Sequence, residues 1–390
     1  MLLVMVFVQI GMNIGFTMLS PIMPLFLPRI GVTDPRLVDL WSGALGFITP
    51  MLAALAAPIW GRVADRRGRK LMVLRSCVAI GAFIGLMSLA QNIWQLFGLR
   101  SLMGVFAGFN SATIALVATQ APARRLGYAL GWISTGQLVG ALVGPLAGGA
   151  IADLTGSYRA PFAVTAVICL LCGAGVLAGI KEGFVPPKAG SARTPFSQGF
   201  VILWRTPGLV PLFVVLLLAQ LGVQAVQPVV TIFVTELTGP RADIATLAGM
   251  AFSVTGVADL IASPFLGRRS DVIGYRRVLL ISLAGAALAT APQFLVTGYW
   301  GFVAARFGLG LFVGGILPTA NALVGRLAPP EHKGAVYGAT SSAMFLGGSF
   351  GPLTGGTIAA LVGVRWVFVV VAVLLTVNLI WVWRKVPDIK

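Results

Sequence analysis

The sequence predicts an all-α integral membrane protein of twelve transmembrane helices, arranged as two pseudo-symmetric six-helix bundles. Three observations predict it. Hydrophobic residues make up 57% of the 390 residues and charged residues only 10%, with a mean hydropathy of +0.94, which leaves too little charge to cover a soluble surface. Continuous apolar runs recur between short charged or Pro/Gly-rich breaks, each long enough for the roughly 20 helical residues that cross ~30 Å of hydrocarbon. The chain also repeats itself. Gly61-x3-Asp65-Arg66-x-Gly68-Arg69-Lys70 returns 206 residues on as Gly267-x3-Asp271-x2-Gly274-x-Arg276-Arg277. Arg100-x3-Gly104-x3-Gly108 returns as Arg306-x3-Gly310-x3-Gly314, and Gly131-x8-Gly140-x3-Gly144-Pro145-x2-Gly148-Gly149 as Gly338-x8-Gly347-x3-Gly351-Pro352-x2-Gly355-Gly356.

Twelve spans are expected near 2–27, 39–60, 72–90, 93–120, 128–152, 160–180, 208–234, 245–266, 277–297, 299–325, 334–361 and 364–384. Spans 4, 10 and 11 are long enough to tilt or overrun the membrane. The runs lack period-two alternation, which excludes transmembrane β-strands. Residues 1–180 and 208–390 form the two bundles, and 181–207 joins them on the cytoplasmic side. Pro186, Pro187, Lys188, Gly190 and Ser191 mark that segment as a linker, and Phe200, Val201, Leu203 and Trp204 suit a short interfacial helix. With both termini cytoplasmic, 21 of the 28 Lys and Arg fall on the cytoplasmic side, Arg75 among them. Five fall opposite: Arg29, Arg36, Arg159, Arg241 and Arg365. That is the positive-inside pattern, read here for a bacterial inner membrane. The net charge of +17 then reflects topology and contact with anionic lipid rather than nucleic acid. The first span starts almost at Met1 with no basic leader or cleavage signature, so no cleaved signal peptide is expected.

Other chemistries find no support. No phosphate-binding loop occurs, which argues against ATP-driven transport by this chain alone. Cys169-x2-Cys172 resembles a redox or metal pair, but no further Cys or His accompanies it. With Cys77 these residues read as small apolar filler, and no metal or cofactor is expected. His332, the only histidine, reads as solvated in the 10–11 loop. A duplicated, Gly-rich, apolar chain is instead the build of many secondary transporters.

In the 2–3 turn, Gly61 lets the end of span 2 approach a neighbouring helix closely. Asp65 is suited to accept hydrogen bonds from the free amides at another helix's N-terminus. Beyond Gly68, Arg69 and Lys70 join Arg66 in holding that carboxylate and reaching toward lipid phosphates. Such a clasp is made when the inner gate is shut and broken when it opens. Gly267, Asp271 and Gly274 repeat it, with Tyr275 in place of the first base.

Gly140, Gly144 and Gly148 leave a flat face on span 5, between Gly131 and Gly149 of the same pattern. Pro145 permits a bend. Gly347, Gly351, Gly355 and Pro352 repeat the arrangement on span 11, which suits a seam that slides or rocks. Arg100 and Arg306 lie about 10 Å below the outer face by the helical rise, and a matched pair favours an inward-facing role. Asn13, Thr17 and Ser20 align with Gln220, Gln224 and Gln227 at offset 207. The i, i+4, i+7 spacing puts each triplet on one helix face, to line a central cavity or to bond between helices. Asn110, Asn321, Gln137 and the apolar Phe16 are further cavity candidates. Asp259 is the one carboxylate deep in a span, a candidate proton carrier or a structural partner; Asp39, at the outer start of span 2, is the second choice.

These patterns resemble the major facilitator superfamily. The 2–3 turn is similar to its motif A, the Arg100 pattern to motif B, and the stretch from Gly131 to Gly149 to motif C, which is associated with drug:proton antiporters. The resemblance implies two bundles rocking about a central site and export of lipophilic or amphipathic small molecules. The proton gradient would be the energy source and a monomer the working unit, with Arg100 assisting coupling. Where many proton-coupled exporters carry an acid in span 1, this chain has Asn13. A sugar or metabolite exporter on the same fold is the nearest alternative, followed by a receptor or lipid-handling protein without coupled flux.

Overall fold

A backbone in hydrocarbon must satisfy its own amides and carbonyls, and the computed structural model is accordingly helical. It describes residues 1–122, 125–183 and 196–388. Among these, eleven helices are long and apolar enough to cross a membrane, and a bent pair makes a twelfth. The pair Leu2–Met18 and Met23–Ile30 forms span 1. Spans 2 to 6 are Pro35–Ala64, Arg69–Met87, Ile93–Gln120, Leu126–Thr155 and Ala160–Gly179. Spans 7 to 12 are Leu209–Thr238, Ile244–Ile273, Tyr275–Phe294, Tyr299–Leu327, Lys333–Val362 and Val364–Lys385. The residues read as linker, from Pro186 to Ser191, lie outside the described set. A helix forms in that segment as Phe196–Arg205, where Leu203 is buried and Val201, Trp204 and Arg205 are exposed.

Three spans are interrupted where the apolar pattern ran straight through. Span 1 bends by 46° beside Pro21, and span 7 breaks at Val226 beside Pro228; proline cannot donate the bond that would continue either helix. Span 4 breaks at Ala107–Gly108, where Gly108 has φ +111°. At the 2–3 and 8–9 turns, Gly68 and Gly274 have φ +92° and +96°. Those positive φ values account for the second glycine in each copy of that motif.

The compact units do not follow the expected division at 181–207. One comprises Met1–Asp34, Ile48–Ser191 and Pro240–Ser253; the other comprises Pro35–Phe47, Ala192–Gly239 and Val254–Lys390. The first stretch of span 2 thus packs with the second repeat, and the first stretch of span 8 with the first. We call the end of the spans bearing the 2–3 turn the basic face and the opposite end the far face.

Glycines explain this exchange. In the first unit, a Cβ on Gly140 would stand 2.6 Å from Asn13 Cβ and 2.8 Å from Ile10 O, while on Gly144 or Gly148 it would overlap Thr17 Oγ1 or Met18 O. Span 5 therefore lies backbone to backbone on span 1. One position round, a Cβ on Gly149 would overlap Ala245 O of span 8, and one on Gly249 would overlap Pro145 O. The second unit repeats both contacts. Gly347, Gly351 and Gly355 meet the span 7 carbonyls of Leu217, Leu221 and Ala225, while Gly356 meets Asp39 O and Gly43 meets Pro352 O of spans 2 and 11. Each motif C helix thus packs on two neighbours at once. Gly131 takes no part, because nothing stands within 4 Å of its Cβ position among the described residues.

A further duplicated device pins the far face. Arg159 donates to Ala90 O (3.0 Å) and lies over Phe26, 5.9 Å from the ring centroid. At offsets of 206 and 207, Arg365 donates to Val296 O (3.0 Å) and lies 5.2 Å over Phe233. Phe26 meets Phe162 at 5.0 Å, and Phe233 meets Phe368 at 4.9 Å. Of the five far-face cations, Arg159 and Arg365 are therefore not topology signals alone.

If the glycine contacts are required, Gly148→Ala should cost about 1–3 kcal/mol by overpacking, read as a lower Tm of the detergent-solubilised protein. Gly131→Ala should be neutral or stabilise by up to about 1 kcal/mol through helix propensity. Equal effects at the two sites would contradict the packing.

Candidate functional site

The polar stripe of span 1 faces span 5, and its groups are used there. Asn13 is buried and donates from Nδ2 to Gln9 O (2.8 Å). Thr17 Oγ1 donates to Asn13 O (2.7 Å) and Gly140 O (3.2 Å). These two residues therefore bond within the bundle rather than lining a cavity, because the glycine face brings span 5 too close to leave room. On span 7, Gln220 and Gln224 start from the same packing ridge, with Cβ atoms 3.0 and 2.8 Å from the Cβ positions of Gly347 and Gly351. With Gln227 they are half-buried and form no side-chain hydrogen bond among the described residues. Phe16, Asn110 and Gln137 are exposed; Ser20 and Asn321 are half-buried, and Asn321 O accepts from Tyr337 Oη (3.1 Å). The sequence reading missed Gln9. It is buried on span 1 and donates from Nε2 to Asn110 Oδ1 (2.7 Å).

Asp259 lies half-buried on span 8 against motif B of span 10. A Cβ on Gly314 would stand 2.5 Å from Asp259 Oδ1, and one on Gly310 would overlap Thr255 O. Among the described residues Asp259 has no hydrogen bond or ion pair. In the first repeat Gly104 packs in the same way on Thr49 O (2.6 Å from the Cβ position), and Thr49 Oγ1 donates to Arg100 O (3.2 Å). Arg100 Nε is buried without a hydrogen-bond partner among the described residues, and Arg306 is buried. Asp39 is buried on span 2 beside span 11, and its Oδ1 has no partner among the described residues.

The basic-face clasp differs from expectation. The side chain of Asp65 lies outside the described residues, and Arg66 is exposed. Gly61 and Gly267 have nothing within 4 Å of their Cβ positions among the described residues, so neither makes the close approach expected of it. The carboxylate on a helix N-terminus here is Glu182, which accepts from the amides of Arg69 and Lys70 (2.8 Å each). Lys70 Nζ donates to the last carbonyls of span 6, Leu177 O (2.9 Å) and Ile180 O (2.5 Å), rather than to lipid. The second repeat has the same parts: Arg276 donates to Trp383 O, and Asp388 Oδ1 stands 3.8 Å from the Cβ position of Gly274. Asp271 is held locally by Tyr275 Oη, with Arg326 over that ring at 4.7 Å. The residue that replaces the motif's first base thus occupies its acid.

The family model described as Major Facilitator Superfamily matches residues 5–245 and 212–390. The chain belongs to the major facilitator superfamily. The "Multidrug resistance protein MdtG" of Proteus mirabilis (strain HI4320) is 37% identical over 95% of this chain and 91% of that protein. The protein of the same name from Escherichia fergusonii is 38% identical over 95% and 90%. In fold, the chain is similar to a transporter of the POT family crystallised with 5-aminolevulinic acid (TM-score 0.79, 15% identity, 98% and 96% covered). It is also similar to a bacterial homologue of the human lysosomal transporter Spinster, in an inward-facing and occupied conformation (0.77, 15%, 98% and 95%).

On this major facilitator scaffold two arrangements escaped the sequence reading. At the far end of span 5, Asp153 accepts from Thr246 N (2.7 Å), Thr246 Oγ1 (2.6 Å) and Ala245 N (3.4 Å). A carboxylate there satisfies the free amides of span 8 and complements its dipole. The second repeat has Ala360 in that place, so no duplicated signal marked it. Burial, then the neighbouring Asp153, raises the Tyr158 phenol above its ordinary pKa, against the opposing pull of Arg29. At the break in span 4, Trp60 Nε1 donates to Val105 O (2.6 Å) and Arg75 Nη2 to Ala107 O (2.8 Å). Arg75 also lies 3.7 Å over the Trp60 ring. These donors satisfy carbonyls that the broken helix leaves free, which gives Arg75 a structural task beyond topology. The three free cysteines fill glycine hollows: Cys172 Sγ stands 2.7 Å from the Cβ position of Gly11, and Cys77 Cβ 3.3 Å from that of Gly173.

Removing the carboxylate in Glu182→Ala should destabilise the protein by about 0.5–2 kcal/mol, the usual loss of an N-terminal cap, visible as a lower Tm. Glu182→Gln should retain part of it, and two variants melting with the wild type would exclude the cap.

Proposed function

We propose that this chain exports lipophilic or amphipathic small molecules across a bacterial inner membrane by proton antiport and alternating access. The relatives named multidrug resistance proteins, similar along nearly the whole chain, support the cargo class. One observation carries the coupling. Asp259 is a carboxylate in a membrane span without a partner among the described residues, and a partly buried, uncompensated acid is suited to load and release a proton. Asp39 is the second candidate, and Arg100 assists. The polar side chains without a hydrogen bond among the described residues (Gln220, Gln224, Gln227, Gln137 and Asn321), with Asn110, Ser20 and Phe16, contact cargo. The basic face is cytoplasmic, with both termini there. Anionic lipid meets Trp204 and Arg205 of the linker helix, and the protein works as a monomer without a bound cofactor.

In this reading the span 5–span 8 and span 2–span 11 contacts are seams on the far side. They close on glycine, Asp153 locks the first of them, and cargo leaves when they part. Flat glycine faces permit that motion because they carry no interlocking side chains.

Proteoliposome flux under an imposed pH gradient tests the coupling. Dye export accelerated by inward proton movement is expected, whereas gradient-independent flux contradicts antiport. Asp259→Asn should abolish the acceleration while leaving downhill flux; full proton-driven export by that variant removes Asp259 as the carrier. Asp153→Ala should raise the rate at which a membrane-impermeant maleimide labels Ser253→Cys from the far side by about 2–30-fold, the equivalent of one helix cap. An unchanged rate counts against the lock.

A further inference from the structure

Gln9 is 1% exposed, and its amide meets Asn110 alone across the span 1–span 4 contact, with Nε2 2.7 Å from Oδ1. Its own Oε1 is buried with no hydrogen-bond partner among the described residues. A buried orphan acceptor is unfavourable, so a contact that served packing alone would be better made by an apolar side chain. The second repeat does so: at offset 207 Leu216 stands for Gln9, and at the offset of 206 that relates spans 4 and 10 Ile316 stands for Asn110. The scaffold therefore does not need the amide pair.

Asn110 has a particular setting. The break at Ala107–Gly108 places it in the first turn of the half-helix Phe109–Gln120, and Trp60 and Arg75 hold the carbonyls on the other side of that break. Its side chain is exposed, as is that of Ser111, whose Oγ donates back to Gly108 O (3.0 Å). An amide left exposed on a membrane span faces a water-filled cavity rather than lipid. Asn110 Nδ2 makes no hydrogen bond among the described residues. With Oδ1 occupied by Gln9, the group that Asn110 presents outward is an N–H donor pair.

We propose that Gln9 is a positioning residue for cargo selection: it fixes the Asn110 amide so that the site donates hydrogen bonds to a neutral acceptor, a carbonyl or ether oxygen, on the transported molecule. This rests on the reading of Asn110 as a cargo contact. Span 1 then carries packing duties on the side facing span 5, through Asn13 and Thr17, and a selectivity duty on the side facing span 4, through Gln9.

The test uses the full chain in proteoliposomes and two neutral dyes. Nile red carries a carbonyl and an ether oxygen but no N–H or O–H. N-phenyl-1-naphthylamine carries an N–H and no oxygen acceptor. Gln9→Leu, which copies the second repeat, should raise KM for Nile red about 2–10-fold, the weight of one neutral hydrogen bond. It should leave kcat within about twofold and N-phenyl-1-naphthylamine transport unchanged; Gln9→Met provides the same readout should Leu disturb the packing. In an Asn110→Leu background, Gln9→Leu should add nothing further. Equal changes for both dyes, a loss confined to kcat, a shift confined to the donor dye, or additive effects in the double variant would overturn the proposal. Wild-type protein that moves neither dye under a pH gradient would instead refute the export reading and this inference with it.

Discussion

Helices in lipid gain little by burying apolar surface against one another, because lipid tails are as apolar as leucine. What holds them together is close approach, and close approach requires the absence of a side chain. Spans 5 and 11 illustrate the constraint: along each, a methyl group at three successive positions would collide with the backbone or side chains of span 1 or span 7. The next glycine round, Gly149 or Gly356, makes the same kind of contact with span 8 or span 2. The first of these contacts is fixed within a repeat and the second crosses between repeats. Two adjacent glycines on one helix thus face different neighbours, and in the proposed mechanism one of these contacts holds while the other parts. Arg159 on Phe26 and Arg365 on Phe233 brace the far ends that the glycine faces leave smooth.

Against this smooth packing, charge is used sparingly and at helix ends. Glu182 and Asp153 each accept from two backbone amides at an N-terminus, one at the basic face and one at the far face. Glu182 joins two helices of the same repeat and has a counterpart in Asp388, whereas Asp153 joins span 5 to span 8 and has none. Gln9 and Asp259 are also present once, so in the proposed mechanism selection and coupling fall where the two repeats differ.

The spans were legible because hydropathy and the 206–207 offset are properties of many residues together, and small errors at the ends do not disturb them. The breaks in spans 1, 4 and 7 were not, since each depends on one proline or glycine whose conformation only the packed chain reveals. Gly108 shows in the sequence only as a member of the Arg100 pattern; its positive φ, where span 4 breaks, comes from the packed chain. Motif A points to Asp65 as a carboxylate on a helix N-terminus, and that side chain lies outside the described residues; the carboxylates seen to accept from N-terminal amides are Glu182 and Asp153, which lie in no motif. Glu182 was recoverable from its offset to Asp388, as was the Arg159–Arg365 pair. Asn13 and Thr17 share a face by spacing, yet spacing cannot say whether that face meets a cavity or a glycine ridge.

In the proposed mechanism the span 5–span 8 seam must part for cargo to leave. Asp153 and Thr246 meet across it at 2.6 Å, so cysteines at both positions, in a chain whose three native cysteines are replaced, can be joined by a short bis-methanethiosulfonate bridge. Proton-driven dye export should stop in the bridged protein and return on reduction, while each single cysteine variant keeps transporting. Full export through the bridged protein would contradict the account.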